Sequence, residues 1–418
     1  MKLTRSFLAF VRSERAGGLL LIACTALSLS LANLPWANEY LAVWQMRLAG
    51  LSVHQWINDL LMAVFFLLIG LELKRELHVG ELSRWRDASL PLFAAVGGML
   101  APALIHHAFN AGTAAEAGFG IPMGTDIAFA LAALAMLGAR VPTALKVFVV
   151  AFAVIDDLGA IVLIATFYTG TVSMAWLGAA AAVWVGLRLL GQRRVAHLAP
   201  YLVGGALLWF CVLHSGVHAT IAGVALAFAM PSARNDADGA SPSHRLEHRL
   251  HKPVAFLVLP LFALANTAVP FPDAGVDALL GPNGVGIALG LLLGKPLGIV
   301  VFCALAVGLG VSRLPHGVRW ADLAGAGMLG GIGFTMSIFI TNLAFASQPE
   351  FLDSSKLAVL TASLLAGLAG MASLAASARA PVASPGAGRT PRDRAGSADP
   401  QERASTSSIR PARSMLSR

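Results

Sequence analysis

The fold class predicted by the sequence is an all-α integral membrane protein of about twelve transmembrane helices. It would contain inverted three-helix repeats and two interrupted, crossing helices. Three observations lead there. Of 418 residues, 57% are hydrophobic and only 12% charged, about half the charge of a soluble domain. The mean hydropathy is +0.72, which excludes an ordinary soluble core. About a dozen stretches reach the roughly 17–25 apolar residues that span a bilayer as a helix. Only helices and closed barrels satisfy the backbone in lipid, and barrel strands would alternate where these runs are continuous.

Taken in order, the runs centre near Ala23, Phe66, Val96, Ala128, Asp156, Val183, Leu208, Ala222, Leu259, Leu291, Gly333 and Leu365. The first follows MKLTRSFLAFVRSER. That charged leader is long and the apolar run is long too, so it reads as an uncleaved span and not a signal peptide. The stretch near Ala222 is short. Segment 35–55 carries Trp36, Trp44 and Trp56, which suit an interfacial belt or a small ordered element touching a second protomer. Residues 1–380 form the polytopic domain, and 381–418, rich in Pro, Ser, Gly and Arg, read as a disordered basic tail.

Alternating through twelve spans from a cytoplasmic N-terminus puts all of the 30 Lys+Arg except Arg47, Lys295 and Lys356 in cytoplasmic segments. The positive-inside rule therefore predicts both termini in the cytoplasm. The net charge of +8 follows from that topology and gives no sign of nucleic-acid binding. Cys24, Cys211 and Cys303 sit inside apolar runs at unrelated spacings and suggest neither a metal site nor disulfides.

Two three-helix units, 88–170 and 284–376, each have a broken middle span. GIPMGTDIAF (120–129) contains Pro122, which lacks an N–H, and Gly124, which tolerates unusual dihedrals. GGIGFTMS (330–337) is the counterpart. The topology starts one unit inside and the other outside, and paired breaks in opposed repeats mark a mid-membrane transport site.

Four ionisable residues lie deep in the apolar runs: Asp126, Asp156, Asp157 and Lys295. Such residues are expensive in lipid and mark ion or proton paths. Three acids against one base leave carboxylates over, which argues against a purely structural cluster. Asp156 and Asp157 are about 100° apart around a helix, so they face different surroundings. Asp126 suits the positive start of a half-helix and Lys295 the negative end of one. A carboxylate site that takes either a proton or a small hard cation, opened alternately to each side, is an exchanger.

The residues closely resemble the bacterial NhaA-type Na⁺/H⁺ antiporters over about 8–376. The motifs are FFLLIGLELKREL (65–77), TDIAFAL (125–131), FAVIDDLGAI (152–161), GVHAT (216–220), RLEHRLH (245–251), GKPLGI (294–299) and GIGFTMSIFI (331–340). The resemblance implies that Asp157 is the principal cation and proton carboxylate, with Asp156 beside it and Thr125 and Asp126 at the first break. It implies that Lys295 pairs with Asp156 and that Gly333 sits at the second break. It assigns a pH-responsive cluster to Glu72, Arg75, Glu76, Glu247, His248 and His251, with His218 also tied to pH response. His244 stands where the family commonly has lysine, a titratable group in place of a permanent charge. The activity implied is electrogenic export of one Na⁺ or Li⁺ against two protons, activated at alkaline pH. It implies an inner-membrane homodimer with no cofactor and with Na⁺, Li⁺ and H⁺ as cargo. An intramembrane aspartyl protease is disfavoured because its two aspartates must face each other across a cleft. A cation channel is disfavoured because its lining would be rings in an oligomer.

Overall fold

The structure, a computed structural model, describes residues 5–78, 80–193, 195–232, 241–271 and 277–377. The tail expected at 381–418 lies outside these. All described residues fall within one compact unit, Met1–Ala378.

The predicted apolar runs are helical. Among the described residues, seven helices are long and apolar enough to cross a membrane: Val53–His78, Trp85–Asn110, Ala114–Leu137, Thr143–Phe167, Met174–Gln192, Pro282–Gly308 and Pro349–Ser377. Trp320–Gly330 and Phe334–Ala344 are a pair bent by 46° at a short break, which makes eight spans when the pair is counted as one. Ala16–Leu31 and Ala199–Leu213 are shorter apolar helices. The runs near Ala222 and Leu259 carry helices of only nine and eight residues, Ile221–Ala229 and Leu259–Asn266. The second continues from Pro242–Pro253 through one π-helical segment, Val254–Val258.

One element departs from all-α. Arg47–Leu48 pairs antiparallel with Leu51–Ser52, joined by Ala49 at φ 49° and Gly50 at φ 90°. Two successive positive φ values are what a tight two-residue hairpin turn requires. The ordered element expected in 35–55 is therefore a short helix, Ala37–Gln45, followed by this hairpin.

Both interruptions fall in the predicted motifs. Ala114–Met123 is a tight 3₁₀ helix, Gly124–Asp126 is extended, and Ile127–Leu137 resumes as α-helix. Pro122 is the sequence cause, since it removes a donor and restricts its predecessor. The second break lies between Gly330 and Phe334.

The helix holding Lys295 approaches Trp85–Asn110 backbone to backbone. A Cβ on Gly97 would sit 2.2 Å from the Gly298 carbonyl oxygen, and one on Gly298 would sit 2.1 Å from that of Gly97. Small residues permit this contact in a membrane, where close packing replaces the hydrophobic drive.

Candidate functional site

The two breaks are tied to each other. The Asp126 N–H donates to the Ile332 carbonyl at 2.6 Å, and the Thr125 hydroxyl donates to the Gly330 carbonyl at 3.0 Å. Two carbonyls left over where the second span breaks are thus satisfied from the first.

Asp126 serves both half-helix starts. Its Oδ1 accepts from the Phe129 N–H at 3.1 Å, as N-cap of Ile127–Leu137. Its Oδ2 accepts from the Thr335 N–H at 3.1 Å and the Thr335 hydroxyl at 2.5 Å, in the first turn of Phe334–Ala344. A carboxylate facing two helix N-termini complements both dipoles. Two further N–H groups at the start of the second half-helix, those of Gly333 and Phe334, both donate to Ser363 Oγ at 3.2 and 3.1 Å. Gly333 is buried, and a Cβ there would lie 2.1 Å from Ser337 Oγ. Ser337 in turn donates to the Ile121 carbonyl at 2.6 Å.

Lys295 follows one π-helical turn, Gly290–Gly294, a local widening that re-aims side chains at functional positions. Its ammonium donates to Asp156 Oδ2 at 2.9 Å, with both side chains fully buried. It also donates to the Met123 carbonyl, at the end of the first half-helix. Lys295 therefore neutralises a negative helix end and a carboxylate together.

Asp157 is different. It is 1% exposed, and among the described residues neither carboxylate oxygen has a hydrogen-bond partner. It lines a cavity of about 60 Å³ together with Thr125, Asp126, Thr335, Glu72 and His251. A water needs roughly 10–15 Å³ of such space, so this cavity has room for a small cation with part of its hydration shell.

Glu72 and His251 link the cavity to a second group. His251 Nε2 is 3.3 Å from Glu72 and 4.0 Å from Glu247. Arg75 bridges Glu247 at 3.2 Å and Glu76 at 3.0 Å. His244 Nδ1 is 4.0 Å from Glu247, and His248 is exposed on the same helix, Pro242–Pro253. Burial pushes the Glu247 carboxyl above its ordinary range, opposed by the Arg75 guanidinium. Burial, then Arg75, pushes His251 down to about 4.

The structure thus brings Glu72, Arg75, Glu76, Glu247, His244, His248 and His251 together. It sets His218 apart, where Nε2 lies 2.6 Å from the Tyr168 carbonyl at the far end of the helix carrying the two aspartates. Thr335, Ser337 and Ser363 were not singled out by the sequence. Thr335 and Ser337 lie within GIGFTMS, so their hydroxyls were a readable signal. Ser363, in an unbroken apolar helix, carried none.

The profile of the family described as Na⁺/H⁺ antiporter 1 matches residues 8–374. A Na⁺/H⁺ antiporter NhaA of Dechloromonas aromatica is 57% identical over 368 residues, 88% of this chain and 94% of the relative. Na⁺/H⁺ antiporter NhaA 1 of Flavobacterium johnsoniae is 52% identical over 370 residues, 88% and 96% of the two chains. An NhaA of Mesorhizobium japonicum is 50% identical over 373 residues, 88% and 94%. With interrupted helices joined at their breaks, buried charges gathered there and this likeness along nearly its whole length, the chain is a multi-pass membrane protein that belongs to the Na⁺/H⁺ antiporter 1 family, a family of transporters and not of enzymes.

Proposed function

We propose that the chain is an electrogenic secondary antiporter that exports one Na⁺ or Li⁺ in exchange for two protons and is activated at alkaline pH. It works in the bacterial inner membrane as a homodimer of twelve-span, inverted-repeat protomers with cytoplasmic termini. Na⁺, Li⁺ and H⁺ are cargo, and no cofactor takes part.

The single observation that carries this reading is the state of Asp157. Of the three aspartates buried around the helix breaks, Asp156 is held by Lys295 and Asp126 is spent on two helix starts. Asp157 alone presents two uncommitted oxygens to the cavity. A bare buried carboxylate is unfavourable, so the group holds either a proton or a hard cation, and the two compete. Thr125 contributes a neighbouring oxygen. Asp126 acts here less as a cation ligand than as the charge that keeps two converging helix dipoles from repelling the ion.

The second proton belongs to the Asp156–Lys295 pair. Breaking it protonates Asp156 or exchanges a proton with Lys295, and coupled groups of this kind titrate as a pair. The cluster around Glu247 and His251 is the pH-responsive entrance, because Glu72 and His251 stand in both the cluster and the cavity wall.

The test is Asp157→Asn in everted membrane vesicles with a preformed ΔpH. Wild type collapses ΔpH on addition of Na⁺ or Li⁺ and increasingly so as pH rises. The variant inserts but does not respond. Full Na⁺-dependent collapse in Asp157→Asn overturns the assignment.

A further inference from the structure

A large groove lies away from the exchange site. It has a volume of about 1100 Å³, and it runs between the start of Trp85–Asn110, the start of Thr143–Phe167 and the segment Gly310–His316. Its rim carries Arg86, Arg313 and His316, together with Asp87. Arg86 and Arg313 are exposed, and among the described residues neither guanidinium has an ion-pair or hydrogen-bond partner. Deeper in, the wall is apolar, with Leu90, Pro91, Val147, Phe148 and Ala151.

We propose that this groove binds one anionic phospholipid of the cytoplasmic leaflet, with its phosphodiester between Arg86 and Arg313 and an acyl chain along the apolar wall. The side of the membrane rests on the topology proposed above. Three features select this occupant. Two guanidiniums against one carboxylate leave a single net positive charge, which matches one phosphodiester and not a multiply charged nucleotide. The guanidinium fork is suited to phosphate oxygens. A groove that is charged at the rim and apolar below fits a headgroup joined to a chain, whereas a free phosphate would leave the apolar wall unused.

The surroundings agree with a membrane boundary. Trp85, next to Arg86 in the chain, is 64% exposed and Trp320, four residues after His316, is 39% exposed, and aromatic residues of this kind collect at the headgroup level. Leu309 at 72% and Val311 at 39% continue an outward apolar surface toward the hydrocarbon. Occupancy would clamp the ends of two elements that lead into the site, the helix carrying Asp156 and Asp157 and the chain entering Trp320–Gly330.

The experiment uses the full chain in detergent, with lipid supplied in mixed micelles. Bound phospholipid is counted by native mass spectrometry, and thermal unfolding is followed in parallel. Wild type retains phosphatidylglycerol in preference to phosphatidylcholine and unfolds at a higher temperature with it. The double variant Arg86→Gln/Arg313→Gln binds phosphatidylglycerol at least about tenfold more weakly, the loss expected from one charge-assisted hydrogen bond. Arg84→Gln, a neighbour outside the groove wall, behaves as wild type. Unchanged phosphatidylglycerol binding in the double variant overturns the proposal. So does equal retention of phosphatidylcholine by wild type, a result that needs no variant. Equal stabilisation by glycerol phosphate alone overturns it in favour of a soluble anion. None of these readouts involves transport, so a failure here leaves the reading of Asp157 standing.

Discussion

Asp156 and Asp157 are neighbours in sequence with opposite surroundings. The helical turn of about 100° between them sends one toward Lys295 and the other toward the cavity. The Asp156–Lys295 pair is fully buried at 2.9 Å, and removing one partner strands a charge at about 3–5 kcal/mol. Asp156→Asn and Lys295→Gln should therefore each lower the thermal midpoint more than the double variant, which leaves a neutral polar pair. A double variant less stable than both singles would contradict this. If the double variant transports, it should exchange Na⁺ for one proton with no net charge moved. Solid-supported-membrane currents measured beside ΔpH collapse decide that point: a wild-type Na⁺-driven current in an active double variant removes the pair as the second proton carrier. The adjacency of the acids was plain in VIDDLG. Their separate partners came only through the family resemblance, because Lys295 lies 139 residues away and spacing along the chain does not reveal the contact.

Among the elements, the two breaks act as one unit. Gly124 is extended at φ −67°, ψ 145°, which any residue adopts, so its role is one of space. A Cβ there would lie 2.8 Å from that of Met336 and 3.2 Å from the Ser337 backbone nitrogen. Gly124→Ala should push the breaks apart, costing about 1–3 kcal/mol by overpacking, and it should weaken apparent Na⁺ affinity. Wild-type stability and KM together would show that the junction tolerates the shift. The helix Pro242–Pro253 makes a separate prediction through pH. Glu247 has its carboxyl raised, so its contribution to stability is present at low pH and lost as pH rises through the raised value. His251 is lowered to about 4, so its contribution is present above the ordinary imidazole value of about 6.5 and lost as pH falls toward 4. Glu247→Gln should then gain on wild type in thermal midpoint as pH rises, and His251→Gln should gain as pH falls below about 6. Curves parallel to wild type would remove these groups from the pH response.

For the molecule as a whole, the proposed topology sets which way the chain runs through the bilayer. The arginine and lysine pattern puts the Gly50 hairpin outside and Ser83 inside. Cys211 and Cys303 are buried and Cys24 is only partly accessible, so the native thiols give a low background. Gly50→Cys should react with a membrane-impermeant thiol reagent in intact cells, and Ser83→Cys only in everted vesicles. The reverse pattern would invert the topology and move the lipid groove to the other leaflet.

The sequence by itself determined the solvent, the helices and the positions of both breaks. Each of these depends on local chemistry: runs of apolar side chains, a proline without a donor, glycines in short clusters. It also singled out Asp126 and Lys295 as opposites suited to helix ends, because few other charges lie in the apolar runs. Which acid is left uncommitted the residues alone did not decide: the family resemblance pointed to Asp157, and the tertiary structure gives the reason, in partners such as Thr335 and Lys295 brought from 209 and 139 residues away. Only the tertiary structure decided that Glu72 and His251 share a cavity with Asp157 while His218 does not. Such outcomes are set by which helices pack face to face, and the spacing of residues along one chain carries no record of that.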